Sequence, residues 1–115
     1  MKVLVYDESA KQRQLVVEAL EKNKHTVTVC SNSNQFMTAV TEGVAGKIVA
    51  DVGSMVHGRS IYNYFDIGKK IEKASVVFYN AEEEFAGVDF RPTTDLDVIL
   101  HAPLDVSAIV EAVTK

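Results

Sequence analysis

Hydrophobic and polar positions along the chain follow two rhythms. "KVLVY" (2–6), "KIVAD" (47–51) and "SVVFYN" (75–80) are short continuous apolar runs, as expected of strands covered on both faces. "HTVTVC" (25–30) alternates instead, with Val27 and Val29 on one face and threonines on the other, which suits an edge strand. "DVILHA" (97–102) reads as the last strand. Between the strands the period lengthens to that of a helix. Leu15, Val16, Ala19 and Leu20 form a stripe behind Ser9, a capping residue. Phe36, Ala39 and Val40 stripe 33–43, with Gly43 as the stop. Ile61, Tyr64, Phe65 and Ile71 share a face of 59–74, where Gly68 costs about 1 kcal/mol relative to alanine. Leu104, Ile109, Ala112 and Val113 stripe the closing helix, and Pro103 sits where a first-turn proline belongs.

Strand and helix alternate five times, with one weak link at 81–96. Such alternation predicts an α/β, doubly wound, five-stranded parallel sheet with right-handed crossovers. The alternating second strand belongs at an edge and the apolar runs at the centre, giving the flavodoxin-like order 2-1-3-4-5. A length of 115 residues, 47% hydrophobic and 24% charged, fits one globular domain spanning 1–115. The net charge of −4, with scattered lysines and arginines, argues against a nucleic-acid surface. The single cysteine, Cys30, excludes an internal disulfide and a thiol metal set, and points to a reduced, cytoplasmic setting. "MKVLVYDES" does not read as a signal peptide, and no apolar run approaches a membrane span.

In a sheet of this order ligands bind at the carboxyl ends of the strands, where the winding reverses between strands 1 and 3. Those ends carry Asp7 and Glu8, then Asp51, Asn80 and Ala102. Three carboxylates brought together raise one another's pKa unless a cation sits among them. Oxygen ligands without cysteine favour magnesium. His57 and His101 fall near the same crevice and are read as hydrogen-bonded rather than metal-binding.

At this point the chain resembles the receiver domains of two-component response regulators. "VLVYDES" resembles the family's first strand and acidic pair, "IVAD" its phospho-acceptor strand, "VVFYNA" its fourth strand and "VILHAPLD" its fifth strand and turn. The likeness runs over essentially the whole chain. It implies that Asp51 accepts a phosphoryl group from a histidine kinase by carboxylate attack. It also implies that Asp7, Glu8 and Asp51, with the Gly53 backbone carbonyl, hold magnesium. The implied partners are proteins, a histidine kinase or a downstream effector, with an effector domain attached outside this chain as the family often has.

Three positions depart from the family pattern. Its lysine before the proline of the last turn is Ala102 here, its threonine or serine ending strand 4 is Asn80, and its strand-5 aromatic is Ile99. The proline-containing turn after the acceptor is replaced by "DVGSMVHG". A phosphoryl group of about −2, two acids and magnesium leave the crevice about two units negative, and the lysine would have removed one. A lost charged hydrogen bond removes about 1.5–3 kcal/mol, against the roughly 5.5 kcal/mol that a decisive switch requires. Asn80 retains amide hydrogens to donate, so the expectation is an impaired switch.

Segment 81–96, "AEEEFAGVDFRPTTDL", is the other departure. Glu82, Glu83 and Glu84 suit a helix start, but Gly87 and Pro92 interrupt it, so a short or displaced helix 4 is expected. Phe85 and Phe90 are candidates for a partner-facing anchor or a cap on the core. The first expectation is a non-enzymatic signalling module acting by protein–protein interaction, with an impaired phospho-switch at Asp51. A rival is the pseudo-receiver, a phosphorylation-independent platform of the same fold. A flavin, dinucleotide or cobalamin carrier is disfavoured, because "DESAKQ" places acids where a phosphate would sit and no histidine loop motif is present.

Overall fold

The computed structural model describes residues 1–43, 46–58 and 64–114. Its five strands are β1 (Lys2–Tyr6), β2 (Thr26–Cys30), β3 (Lys47–Asp51), β4 (Ser75–Ala81) and β5 (Val98–His101). They form one sheet in the order β2-β1-β3-β4-β5, every neighbouring pair parallel. The helices are α1 (Ala10–Lys22), α2 (Ser33–Thr41), α3 (Val52–Gly58), α4 (Tyr64–Lys70) and α5 (Val106–Thr114). Because successive side chains of a strand point to opposite faces, the apolar runs feed two cores. Leu4, Tyr6, Ile48, Ala50 and Phe78 meet α2, α3 and α4, while Val3, Val5, Val49 and Val77 meet α1 and α5. Tyr6 stacks on Phe36 with ring centroids 4.7 Å apart.

The local signals act as expected at several ends. The Ser9 hydroxyl accepts from the Gln12 amide and caps α1, and Gly43 takes φ +66° after α2, a conformation open to glycine at little cost. Elsewhere the pattern misleads. Leu15 is 48% exposed, and the buried positions of α1 are Val16 and Leu20. The glycine-flanked stretch after Asp51 is not a turn but α3, whose Val52, Ser54 and Met55 are buried. Among the described residues the next helix begins at Tyr64. The expectations for Ile61, and for the side chains of Tyr64 and Phe65, lie outside the described residues. Pro103 precedes α5 rather than opening it, and Asp105 caps the helix by accepting from the Ala108 amide at 3.1 Å.

Between β4 and β5 there is no helix, short or displaced; residues 82–97 form turns and irregular backbone. Gly87 sits at φ +120°, a conformation that interrupts helical continuation. What orders the segment is Arg91, 3% exposed. Its guanidinium donates to the Ile71 carbonyl (3.0 Å) and the Ala74 carbonyl (2.5 Å), and to both carboxylate oxygens of Asp97 (2.5 and 3.0 Å). Asp97 also accepts from the Val76 and Thr94 amides, each at 2.9 Å. Burial pushes the Asp97 carboxyl up, but the Arg91 hydrogen bonds, the two amides and the Arg91 charge outweigh it and hold the pKa below the usual value. The staple ties the end of α4 to the start of β5. Phe85 and Phe90 pack against the core as half-buried side chains, Phe85 edge-on to Phe78 at 5.4 Å.

Arg91→Ala leaves the Asp97 carboxylate buried and uncompensated, so urea denaturation should register a loss of about 3–5 kcal/mol. Since the folded Asp97 pKa is depressed, its stabilisation is present above the unfolded carboxylate value near 3.9 and is lost as pH falls through the folded one. Asp97→Asn should therefore blunt the acid limb of the stability profile below about pH 4. Gly68→Ala should also destabilise, although alanine is the better helix former by about 1 kcal/mol. An added Cβ would stand 2.1 Å from the Phe90 carbonyl oxygen, and overpacking of this kind costs about 1–3 kcal/mol.

Candidate functional site

The strand-end acids do meet at the carboxyl edge of the sheet, but their oxygens are already in use. Asp7, directly after β1, is fully buried. Its Oδ1 accepts from the Ser9 amide at 2.8 Å. Its Oδ2 accepts from the Tyr79 hydroxyl at 2.5 Å and the Gln12 side-chain amide at 3.3 Å. Arg13 donates to the Asp7 backbone carbonyl at 2.8 Å rather than to its carboxylate. Burial pushes the Asp7 carboxyl above the usual range; the Tyr79 and Ser9 bonds oppose this, the Asp51 charge adds to it, and the Arg13 charge opposes it. The same burial, with the Asp7 bond and charge, drives the Tyr79 hydroxyl far above its ordinary value, so it stays a proton donor.

Asp51, half-buried at the end of β3, is held from both sides. Its Oδ2 accepts from the Ser54 amide (3.0 Å) and hydroxyl (2.9 Å), in the manner of a side chain capping the first turn of the helix that follows. Its Oδ1 accepts from the Asn80 side-chain amide at 3.1 Å, and that amide also donates to the Gln12 side chain at 2.8 Å. Asn80 itself takes φ +59°, the left-handed region that asparagine tolerates better than most residues. The Ser54 hydroxyl in turn accepts from the Glu8 amide at 2.9 Å. One hydrogen-bonded chain thus runs from Tyr79 through Asp7, Gln12, Asn80, Asp51 and Ser54 to the Glu8 backbone.

The Glu8 carboxylate turns to His57 on α3, whose Nδ1 lies 3.0 and 3.1 Å from its two oxygens. A magnesium site wants carboxylate oxygens with room for several waters. Here one acid is dry and fully engaged, one is held by a histidine, and the third accepts three protein hydrogen bonds. Among the described residues no group of three or more histidine, cysteine, aspartate or glutamate side chains is placed to hold a metal ion. The arrangement does not fit the expected cation. Gly53 lies on α3 two residues after Asp51, and a Cβ added there would stand 3.4 Å from Asp51 Oδ2.

Ala102 is exposed, bonded through its amide to the Ala81 carbonyl at 3.0 Å, and joined to Pro103 by a cis peptide. Ile99 is half-buried on β5, paired with Phe78 and packed against the core. His101 Nδ1 lies 3.1 Å from the Glu82 carbonyl. Cys30 is buried, its thiol pushed up to about 11 by burial, which suits a small hydrophobe. Sequence reasoning missed Tyr79, Gln12 and Ser54. Tyr79 was hidden inside the most apolar strand, while Ser54, three residues after Asp51, carried a legible capping spacing.

Neither a family model nor a curated protein sequence matches the chain. Solved structures do. The N-terminal domain of a response regulator/sensory box/GGDEF three-domain protein from Carboxydothermus hydrogenoformans matches with a TM-score of 0.72 at 21% identity, over 99% of this chain and 91% of that one. A response regulator receiver domain protein from Bacillus halodurans matches at 0.70 and 14% identity, over 99% and 94%. The Saccharomyces cerevisiae co-crystal of a histidine phosphotransfer protein with the receiver domain of its downstream response regulator matches at 0.71 and 15% identity, over 99% and 86%. The fold is that of receiver domains, with flanking helices on a 2-1-3-4-5 parallel sheet.

Tyr79→Phe removes a donor from a buried carboxylate and should cost about 1–3 kcal/mol at pH 7 in chemical denaturation. Because the folded Asp7 pKa is raised, the folded state binds the proton more tightly than the unfolded one. Stability is therefore lost as pH rises from the ordinary carboxylate value through the folded one. Asp7→Asn should raise the thermal midpoint at pH 7, with the gap to the parent closing near pH 3.

Proposed function

We propose that this chain is a receiver-fold signalling module that acts by binding a protein partner, with its acidic crevice held in a phosphorylation-independent state. It is a pseudo-receiver rather than an enzyme, working in the cytoplasm. The observation that carries this reading is the hydrogen-bonded chain joining Asp7 and Asp51 through Tyr79, Gln12, Asn80 and Ser54. In a phosphorylatable site those acceptor oxygens would face a cation and an incoming phosphoryl group; here they face donors of the protein itself. The exposed alanine at position 102 adds no positive charge for a phosphoryl group to pair with, and Ile99 offers no aromatic ring to rotate. The stapled 82–97 segment supports a fixed rather than a switching surface. The solved complex of a receiver domain with a histidine phosphotransfer protein makes a phosphorelay or effector protein the natural class of partner.

A second reading keeps Asp51 as a phospho-acceptor with an impaired switch. It is favoured by the position of Asp51, half-buried at the strand tip with the spacing of the family's acceptor. Incubation with a small-molecule phosphodonor and magnesium, followed by intact-mass measurement, separates the two. The first reading expects no gain; a gain of about 80 Da, the mass of one phosphoryl group, that disappears in Asp51→Asn establishes the second.

A further inference from the structure

Beside the acidic crevice, between α3 and the segment that follows β4, lies a groove of about 520 Å³. Val52, Val56 and Phe85 supply its apolar lining, and Asn80, His57, Glu82 and Glu84 its polar one. Val56 is 47% exposed on a helix whose Val52 and Met55 are buried, so this helix carries apolar surface on its outer side as well. Phe85 is half-buried, its ring packed edge-on against Phe78, and it lines the groove. Both glutamates are exposed, and no cation among the described residues bonds their carboxylates.

We propose that this groove docks a protein partner that inserts a lysine or arginine side chain flanked by aliphatic residues. The inference deepens the interaction-module reading and rests on it. Charge selects the occupant. Two exposed carboxylates, Glu82 and Glu84, line it, His57 beside them faces the Glu8 carboxylate, and Asp51 is hydrogen-bonded to Asn80. This places the cleft in a negative field that attracts a cation and repels an acidic or phosphorylated segment. A long basic side chain suits an apolar lining with an acidic rim, since its methylene stem covers apolar surface while its charged head stays at the polar edge. A second copy of this chain is disfavoured as occupant, because each copy carries a net charge of −4. Binding here presses on Asn80, and through it on Gln12 and Asp51, so the partner would sense the acidic crevice without any phosphoryl group.

The probes are a short amphipathic leucine–lysine peptide and its leucine–glutamate counterpart, titrated into the isotopically labelled chain and followed by amide NMR. The lysine peptide should shift amides at 52–57 and 80–85, and the glutamate peptide should shift none. Glu82→Lys combined with Glu84→Lys should weaken binding at least about tenfold by charge reversal, and Val56→Ser should weaken it with the amide spectrum otherwise preserved. Equal binding of the two peptides, shifts confined to another face, unchanged affinity in the groove variants, or self-association abolished by the charge reversal would each overturn the proposal. Phosphorylation of Asp51 in the mass experiment would overturn the phosphorylation-independent reading and leave the groove standing, so the two failures are distinguishable.

Discussion

A carboxylate with no solvent exposure, Asp7, is the constraint from which the rest of this molecule's arrangement follows. A buried charge must be paired, hydrogen-bonded or neutralised. Position 102 is alanine, and besides the nearby Arg13 charge it is hydrogen-bond donors that stabilise the Asp7 carboxylate. They come from three places: the Tyr79 hydroxyl on β4, the Gln12 amide on α1 and the Ser9 backbone at the α1 cap. Satisfying one side chain therefore locks the ends of β1 and β4 to the first turn of α1. A half-satisfied network would be worse than an apolar core, and this network is closed through Asn80 and Ser54 around Asp51 as well.

Closure has a functional consequence. A switch needs two arrangements of comparable free energy with a ligand that prefers one of them. Here both acids are engaged by donors of the protein itself, and segment 82–97 is stapled by Arg91 and Asp97. The phosphorylation-independent reading proposed above rests on this closure.

Much of this was legible in the sequence, for reasons that can be assigned to residues. The continuous apolar runs at 2–6, 47–51 and 75–80 marked central strands because both of their faces are covered, and the valine–threonine alternation at 26–30 marked the edge. The strand-end acids were legible because the fold fixes where strand ends lie. What was not legible depended on side-chain partners distant in sequence. Tyr79 reads as one more apolar strand residue, and only its 72-residue separation from Asp7, closed by the fold, turns it into a donor. Glu8 reads as one more strand-end acid, and its contact with His57 depends on α3, which was obscured by glycines that look like a turn. Arg91 lay in a stretch whose proline and glycine implied a loop, yet nothing local reveals that its guanidinium bridges two elements.

Internal donors that satisfy the acidic crevice in place of a cation leave the Asp7 titration indifferent to magnesium. The decisive measurement is side-chain carboxyl NMR of Asp7, titrated with acid in the presence and absence of millimolar magnesium. The expected result is a single titration with a pKa above the usual aspartate range, the same in both conditions. A pKa that falls on adding magnesium, with the Asp7 and Asp51 carboxyl resonances shifting together, would contradict it.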